Sequence, residues 1–116
     1  QKHEADLILE IDGNKKNSVA SGNGPVDATF NSIKEITDVN AKLKLYQVHA
    51  ITAGTDAQGE VTVRLEENEI TSQAKGSDPD IIVASARAYI NALNKLLIKR
   101  TKSAPDKISE VKVKGV

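Results

Sequence analysis

Ala20-Ser21-Gly22-Asn23-Gly24-Pro25 returns 54 residues later as Ala74-Lys75-Gly76-Ser77-Asp78-Pro79, so the chain carries two copies of the pattern Ala-x-Gly-x-x-Pro. Each copy stands between a strand-like run and the onset of a helical pattern. Proline suits that place: at the first helical position its missing N–H has no intrahelical acceptor to lose, and a Gly or Asn before it can adopt the cap geometry. After the first copy, Val26, Phe30 and Ile33 recur at helical spacing, which sets a helix from Pro25 to about Thr37-Asp38. After the second, Asp78 is expected to cap a longer helix that begins at Pro79, with Asp80 near its positive end, and runs to about Arg100. Lys95, Lys99 and Arg100 bring to its last turns the positive charge that a helix C-terminus favours.

Outward from the two copies the chain alternates. Leu7, Leu9 and Ile11 oppose Asp6, Glu10 and Asp12, the period of two that marks a half-buried strand, and Asp12-Gly13-Asn14 turns it toward a short strand through Ser18-Val19-Ala20. Residues 42–52 read as a long strand with Leu43 and Leu45 in one phase and Tyr46, Val48 and Ala50 in the other, as expected of a strand covered on both faces. The Gly54–Gly59 loop and the alternating Val61, Val63 and Leu65 complete a hairpin with it. A short strand follows around Ile70–Ala74, and a last one near Val111 and Val113, beyond a break at Ala104-Pro105-Asp106. The order strand-strand-helix-strand thus occurs twice, in pseudo-repeats at about 4–53 and 58–114. The expected fold is α+β: duplicated strand-strand-helix-strand units, two helices packed on antiparallel sheets, in a single domain of residues 1–116.

Composition narrows the function. The 16 basic and 16 acidic residues cancel, which argues against a nucleic-acid partner. With no cysteine there is no disulfide, thiolate metal site or cysteine nucleophile, and the two histidines, His3 and His49, share no metal-ligand spacing, so neither a metal nor a redox cofactor is expected. No apolar run approaches the roughly 20 residues of a membrane span, so no membrane partner is expected. The chain opens at Gln1 and lacks methionine, and is expected to be a piece of something longer.

Gly22-Asn23-Gly24-Pro25 at a helix start offers backbone N–H groups and the positive helix end to a carboxylate or phosphate; the same residues also make an ordinary turn and cap. It is no dinucleotide fingerprint, because Asp27 falls where the third glycine belongs. Asp27 reads either as a favourable charge on the helix dipole or as a partner for an ammonium, and loop and carboxylate together would suit a zwitterion. Tyr46 reads as a packed strand residue, and His49 as a solvated or core-edge histidine. No nucleophile–base or acid–base pair assembles, so no catalytic residue is assigned. The second helix, from Ile81 to Ile98, is apolar around most of its circumference. It is either a central core helix or a subunit interface, and the small core favours the interface and hence a homodimer.

Gly22-Asn-Gly-Pro-Val-Asp-Ala-Thr-Phe-Asn-Ser-Ile33, Tyr46-Gln-Val-His-Ala-Ile-Thr-Ala-Gly-Thr-Asp-Ala-Gln-Gly-Glu-Val61 and Lys75-Gly-Ser-Asp-Pro-Asp-Ile-Ile-Val-Ala-Ser85 together resemble the C-terminal regulatory domain of alpha-isopropylmalate synthases, a domain type that also closes citramalate synthases. The resemblance implies a cytoplasmic, allosteric domain that dimerises, binds an end-product branched-chain amino acid near the dimer interface, and inhibits a catalytic barrel in the same full-length enzyme. None of that barrel lies in these residues. It also implies a ligand pocket drawing on Gly22, Asn23, Gly24, Val26 and Asp27, on Leu43, Tyr46 and Ala50, and on Pro79 and Ile81. In that pocket backbone N–H groups would take the carboxylate, Asp27 the ammonium and the apolar side chains the branched tail. Leu43 is out of phase with Tyr46 and Ala50 on a regular strand, so either a bulge intervenes or Leu43 is no contact. The form of the second segment, with small Ala50, points to L-leucine; L-isoleucine in a citramalate synthase, or a purely structural dimerisation module, are the alternatives.

Overall fold

The computed structural model describes residues 3–11, 13–51, 57–101 and 108–114. Along them run β1 (His3–Ile11), β2 (Asn14–Gly22), α1 (Pro25–Thr37), β3 (Lys42–Ile51), β4 (Gln58–Glu67), β5 (Ile70–Asp78), α2 (Ile81–Thr101) and β6 (Ile108–Lys114). The class is α+β, with strand-strand-helix-strand occurring twice, and the elements gather into two units, each a helix on a three-stranded antiparallel sheet.

The first unit joins Gln1–Asn40 to Asp106–Val116, and its strand order is β2-β1-β6. Gly13 precedes β2 at φ 81, a left-handed conformation that glycine adopts at least cost. Asp12, expected to turn the chain with it, lies outside the described residues. Ala5, Leu7 and Leu9 point to one face, fully buried, and α1 answers with Ala28, Thr29, Phe30, Ser32 and Ile33. Buried Ser32 donates from Oγ to the Ala5 carbonyl at 3.1 Å, which pins the helix to the central strand. The helix ends in Asp38, a residue type tolerant of the left-handed turn (φ 54) that lets its N–H reach the Lys34 carbonyl.

The second unit is continuous, Ala41–Pro105, with order β3-β4-β5 and α2 on β4 and β5. Val61, Val63 and Leu65 of β4 and Ala74 of β5 line the helix-facing side. On β5, Asn91, Lys95 and Lys99, one helical turn apart, donate to the carbonyls of Lys75, Gln73 and Thr71 at 2.9, 3.0 and 2.6 Å. A side-chain row from α2 therefore occupies the outer edge of this sheet.

The Ala-x-Gly-x-x-Pro pattern has one physical cause in both units. Ala20 and Ala74 are buried, and a Cβ on Gly22 would come within 2.6 Å of the Ala28 amide nitrogen. One on Gly76 would come within 2.6 Å of the Ala84 carbonyl oxygen. The strand end passes so close under the helix backbone that only glycine fits.

Four expectations change. The α2 helix begins at Ile81 rather than Pro79, because Asp80 is its cap, accepting from the Ile82 N–H at 2.8 Å, while Asp78 accepts from the Asp80 N–H one step earlier. β3 is an edge strand with Leu43 and Val48 41% and 49% exposed, so it is not covered on both faces within the chain. Its two hydrophobic phases come from a bulge: Leu43 pairs with Leu65 and Leu45 with Arg64, leaving Lys44 as the extra residue. Finally, Ile81–Arg100 is long and apolar enough to cross a membrane, although more than half of it is buried inside the protein. The strands β2 and β5 are also longer than the short runs expected.

Candidate ligand-binding site

The expected site residues fall into one group in each unit. In the first, Gly24 caps α1 in extended conformation without a side-chain cap bond, and Pro25 is the first helical residue. The first helical hydrogen bond is given by the Ala28 N–H to the Gly24 carbonyl at 2.9 Å. The amides of Val26 and Asp27 therefore precede any intrahelical acceptor and stand at the positive end of the helix. Exposed Asp27 turns its carboxylate back over the loop, and Oδ2 accepts from the Asn23 N–H at 2.9 Å. That bond fixes the loop and uses one of several acceptor sites of the carboxylate. Space is uneven: Gly22 has none for a side chain, whereas nothing lies within 4 Å of a Cβ on Gly24. Gly22, Asn23, Gly24, Val26 and Asp27 thus form one corner, with amides for an anion and a carboxylate for a cation.

In the second unit the bulge at Lys44 settles the phase of Leu43. Leu43, Tyr46 and Val48 pair with Leu65, Val63 and Val61, alternate residues of β4, so all three share the helix-facing side, and Ala50 is in register with Gly59. α2 leaves this edge of the face open, which is why Leu43 and Val48 are exposed and Tyr46 only half-buried. The Tyr46 hydroxyl lies 2.8 Å from Ser85 Oγ on α2. Ser85 in turn donates to the Ile81 carbonyl at 2.7 Å. The tip of Ile81 lies over Gly59, 2.6 Å from where a Cβ would stand, and Gly59 is the register partner of Ala50. Leu43, Tyr46 and Ile81 are thereby brought to one side of this sheet, exposed Pro79 leads into α2, and the side chain of Ala50 lies outside what is described.

Sequence reasoning missed Ser85, Val48 and Gly59. Val48 carried a signal, since it alternates with Tyr46 and Ala50; a serine in an apolar helix gave a weaker one. Gly54 and Asp56 of the quoted second segment lie outside the described residues. The open groove lined by Lys16, Asn17, Ser18, Glu35 and Ile36 involves none of the expected residues.

The chain is similar to known proteins over most of its length. The model of the LeuA allosteric (dimerisation) domain matches residues 1–97. A 2-isopropylmalate synthase from Caulobacter sp. (strain K31) is 53% identical over 102 residues, 88% of this chain and 20% of the relative. That of Rhodopseudomonas palustris (strain TIE-1) is 50% identical over 111 residues, 96% of this chain and 21% of the relative. The Bradyrhizobium diazoefficiens enzyme is 55% identical over 96 residues, 83% and 18% of the two chains. The chain spans about a fifth of the length of these curated relatives. With the family model covering most of its residues, the chain belongs to the LeuA allosteric (dimerisation) domain family.

Proposed function

We propose that this chain is the leucine-sensing regulatory domain of a 2-isopropylmalate synthase, working as a homodimer that binds L-leucine at its interface and passes feedback inhibition to a catalytic barrel elsewhere in the same cytoplasmic enzyme. Family membership carries this reading, together with the name shared by relatives that cover nearly the whole chain. The chemistry on hand supports it. A free amino acid is a zwitterion with an apolar tail. Within the first unit the Gly22–Asp27 corner offers amides and a carboxylate; within the second, Leu43, Tyr46 and Ile81 offer apolar surface, and the resemblance adds Ala50 and Pro79 to that set. Catalysis is assigned to the rest of the enzyme, because the chain spans only about a fifth of its curated relatives and matches their allosteric domain.

The physical basis for dimerisation differs from the one expected. The chain itself buries most of the apolar surface of α2, including Ala84, Ala88, Tyr89, Leu93 and Leu96. Among the described residues, what stays open is Val19 on β2, Ile81 and Ile98 on the helix and the Leu43–Val48 edge of β3, and this edge is the apolar surface a second copy would cover. Calorimetric titration with leucine, isoleucine and valine tests the reading. Tightest binding of leucine is expected; preference for isoleucine would move the domain to a citramalate synthase, and silence toward all three would leave a structural dimerisation module.

A further inference from the structure

Asn23 is the only asparagine of the chain that precedes a glycine. A glycine places no Cβ between its own nitrogen and the side chain before it, so that nitrogen can reach the asparagine Cγ. The pair lies in the loop between β2 and α1, with Asn23 exposed. Among the described residues, Asn23 is held only through its main-chain N–H, which donates to Asp27 Oδ2 at 2.9 Å; neither its side-chain amide nor the Gly24 N–H makes a hydrogen bond. Nothing lies within 4 Å of a Cβ on Gly24, which leaves room for a ring at this point. Asn17 and Asn31 are different. Asn17 sits in β2 with Nδ2 on Asp6 Oδ1 and on the Leu7 carbonyl, and Asn31 sits in α1 with Nδ2 on the Ser21 carbonyl at 2.9 Å.

We propose that Asn23-Gly24 is a self-modifying site, at which the chain deamidates and rearranges its own backbone with water as the only co-reactant. The Gly24 nitrogen gives its proton to solvent and attacks Asn23 Cγ. The new N–C bond closes a succinimide, the Cγ–Nδ2 bond breaks, and Nδ2 leaves as ammonia after taking up a proton. Water then opens the ring. Addition at Cγ gives an aspartate, and addition at the former main-chain carbonyl carbon gives an isoaspartate, whose main chain runs through Cβ and Cγ. Either product carries a carboxylate that Asn23 lacked. That charge stands beside Asp27, and two carboxylates at one corner repel a further anion. In the isoaspartate the main chain is also one carbon longer. Gly22 cannot take up the extra length, because its backbone already lies against the Ala28 amide; it falls to Gly24, whose carbonyl receives the first helical hydrogen bond. The loss this brings to leucine binding rests on the leucine-sensing reading, whereas the covalent step does not.

The test incubates the folded chain and its Gly24→Ala variant in mildly alkaline buffer and follows the tryptic peptide of residues 17–34 by tandem mass spectrometry. This peptide holds Asn17, Asn23 and Asn31, so the two tethered asparagines are internal controls. The mass change of an amide becoming an acid should appear at residue 23 and not at 17 or 31, and part of the product should accept a methyl group from an isoaspartate methyltransferase. Gly24→Ala should fold like the wild type, as melting curves check, because φ −160 is extended backbone open to any residue and its Cβ meets nothing. The added methyl should nevertheless slow the conversion by more than an order of magnitude. No conversion at residue 23, conversion as fast at Asn17 or Asn31, or an equal rate in Gly24→Ala would each overturn the proposal. Calorimetry then compares the fresh chain, the aged chain and Asn23→Asp: leucine should bind the last two about tenfold more weakly, the scale of one hydrogen bond to a charged group. Equal affinity in all three would overturn the consequence for sensing. A fresh chain that binds no leucine would overturn the sensing reading, while the mass spectra still decide the covalent step.

Discussion

Asp27 is the residue on which the chemistry of the first corner turns. Its carboxylate holds the Asn23 N–H at 2.9 Å, so it arrives oriented rather than free. Asp27→Asn keeps the shape and an acceptor oxygen but removes the charge. It should weaken leucine binding ten- to a hundredfold, about 1.5–3 kcal/mol, with a melting temperature near that of the wild type; an unchanged affinity by calorimetry would take Asp27 out of the site. Gly76→Ala tests a purely structural residue. The added methyl meets helix backbone, which cannot rotate away, so a loss of about 1–3 kcal/mol in denaturant unfolding is expected. Tyr89 gives the pH dependence. Burial alone pushes its phenol from 10.0 up to about 12. A raised folded value means the contribution is complete below pH 10 and is lost as pH rises from 10 through 12, a fall of about 2–3 kcal/mol. Tyr89→Phe should lack that alkaline loss when unfolding is compared at pH 9 and pH 12, and an identical decline in both chains would contradict it.

Among the elements, the edge of β5 shows how side chains from a helix can finish a sheet. Lys95 and Lys99 give their ammonium protons to alternate outer carbonyls, and exposed sheet edges are templates for another strand. Replacing both by alanine should leave the circular dichroism unchanged and produce species larger than the native assembly in sedimentation at tens of micromolar. A Lys44→Ala control on β3 should not. Much of this layer was legible in the sequence: the start of α1 follows from Pro25, and β1 and β4 follow from clean alternation, whereas the start of α2 lies two residues beyond the expected Pro79 because Asp80 and not Asp78 is its cap. What escaped depends on contacts distant in sequence. The bulge at Lys44 is set by pairing with β4, and no residue type announces it. The β4–β5 turn uses Asn68 and Glu69 at φ 51 and 66, and glutamate is not a residue that signals a left-handed turn. Leu43 could be placed only once that bulge was seen, and Ser85 only once β3 and α2 had been brought together.

At the scale of the molecule, the fourth element of each repeat leaves its own unit. β3 follows α1 in sequence but pairs with β4, and β6 follows α2 but returns to β1. The recurring element order is therefore readable as a sequence pattern, while the exchange of strands is not, because a strand's partner is decided by which sheet buries its apolar face. Sensing by such a fold is a linkage property. A ligand that binds only the folded state adds RT ln(1 + [L]/Kd), about 2.7 kcal/mol at a hundredfold excess, which amounts to several degrees in melting temperature. The melting curve of the chain with and without L-leucine, beside L-isoleucine at equal concentration, reads this directly. A rise of several degrees with leucine, larger than with isoleucine, is the expected result; a curve that neither amino acid moves would contradict leucine sensing by this domain.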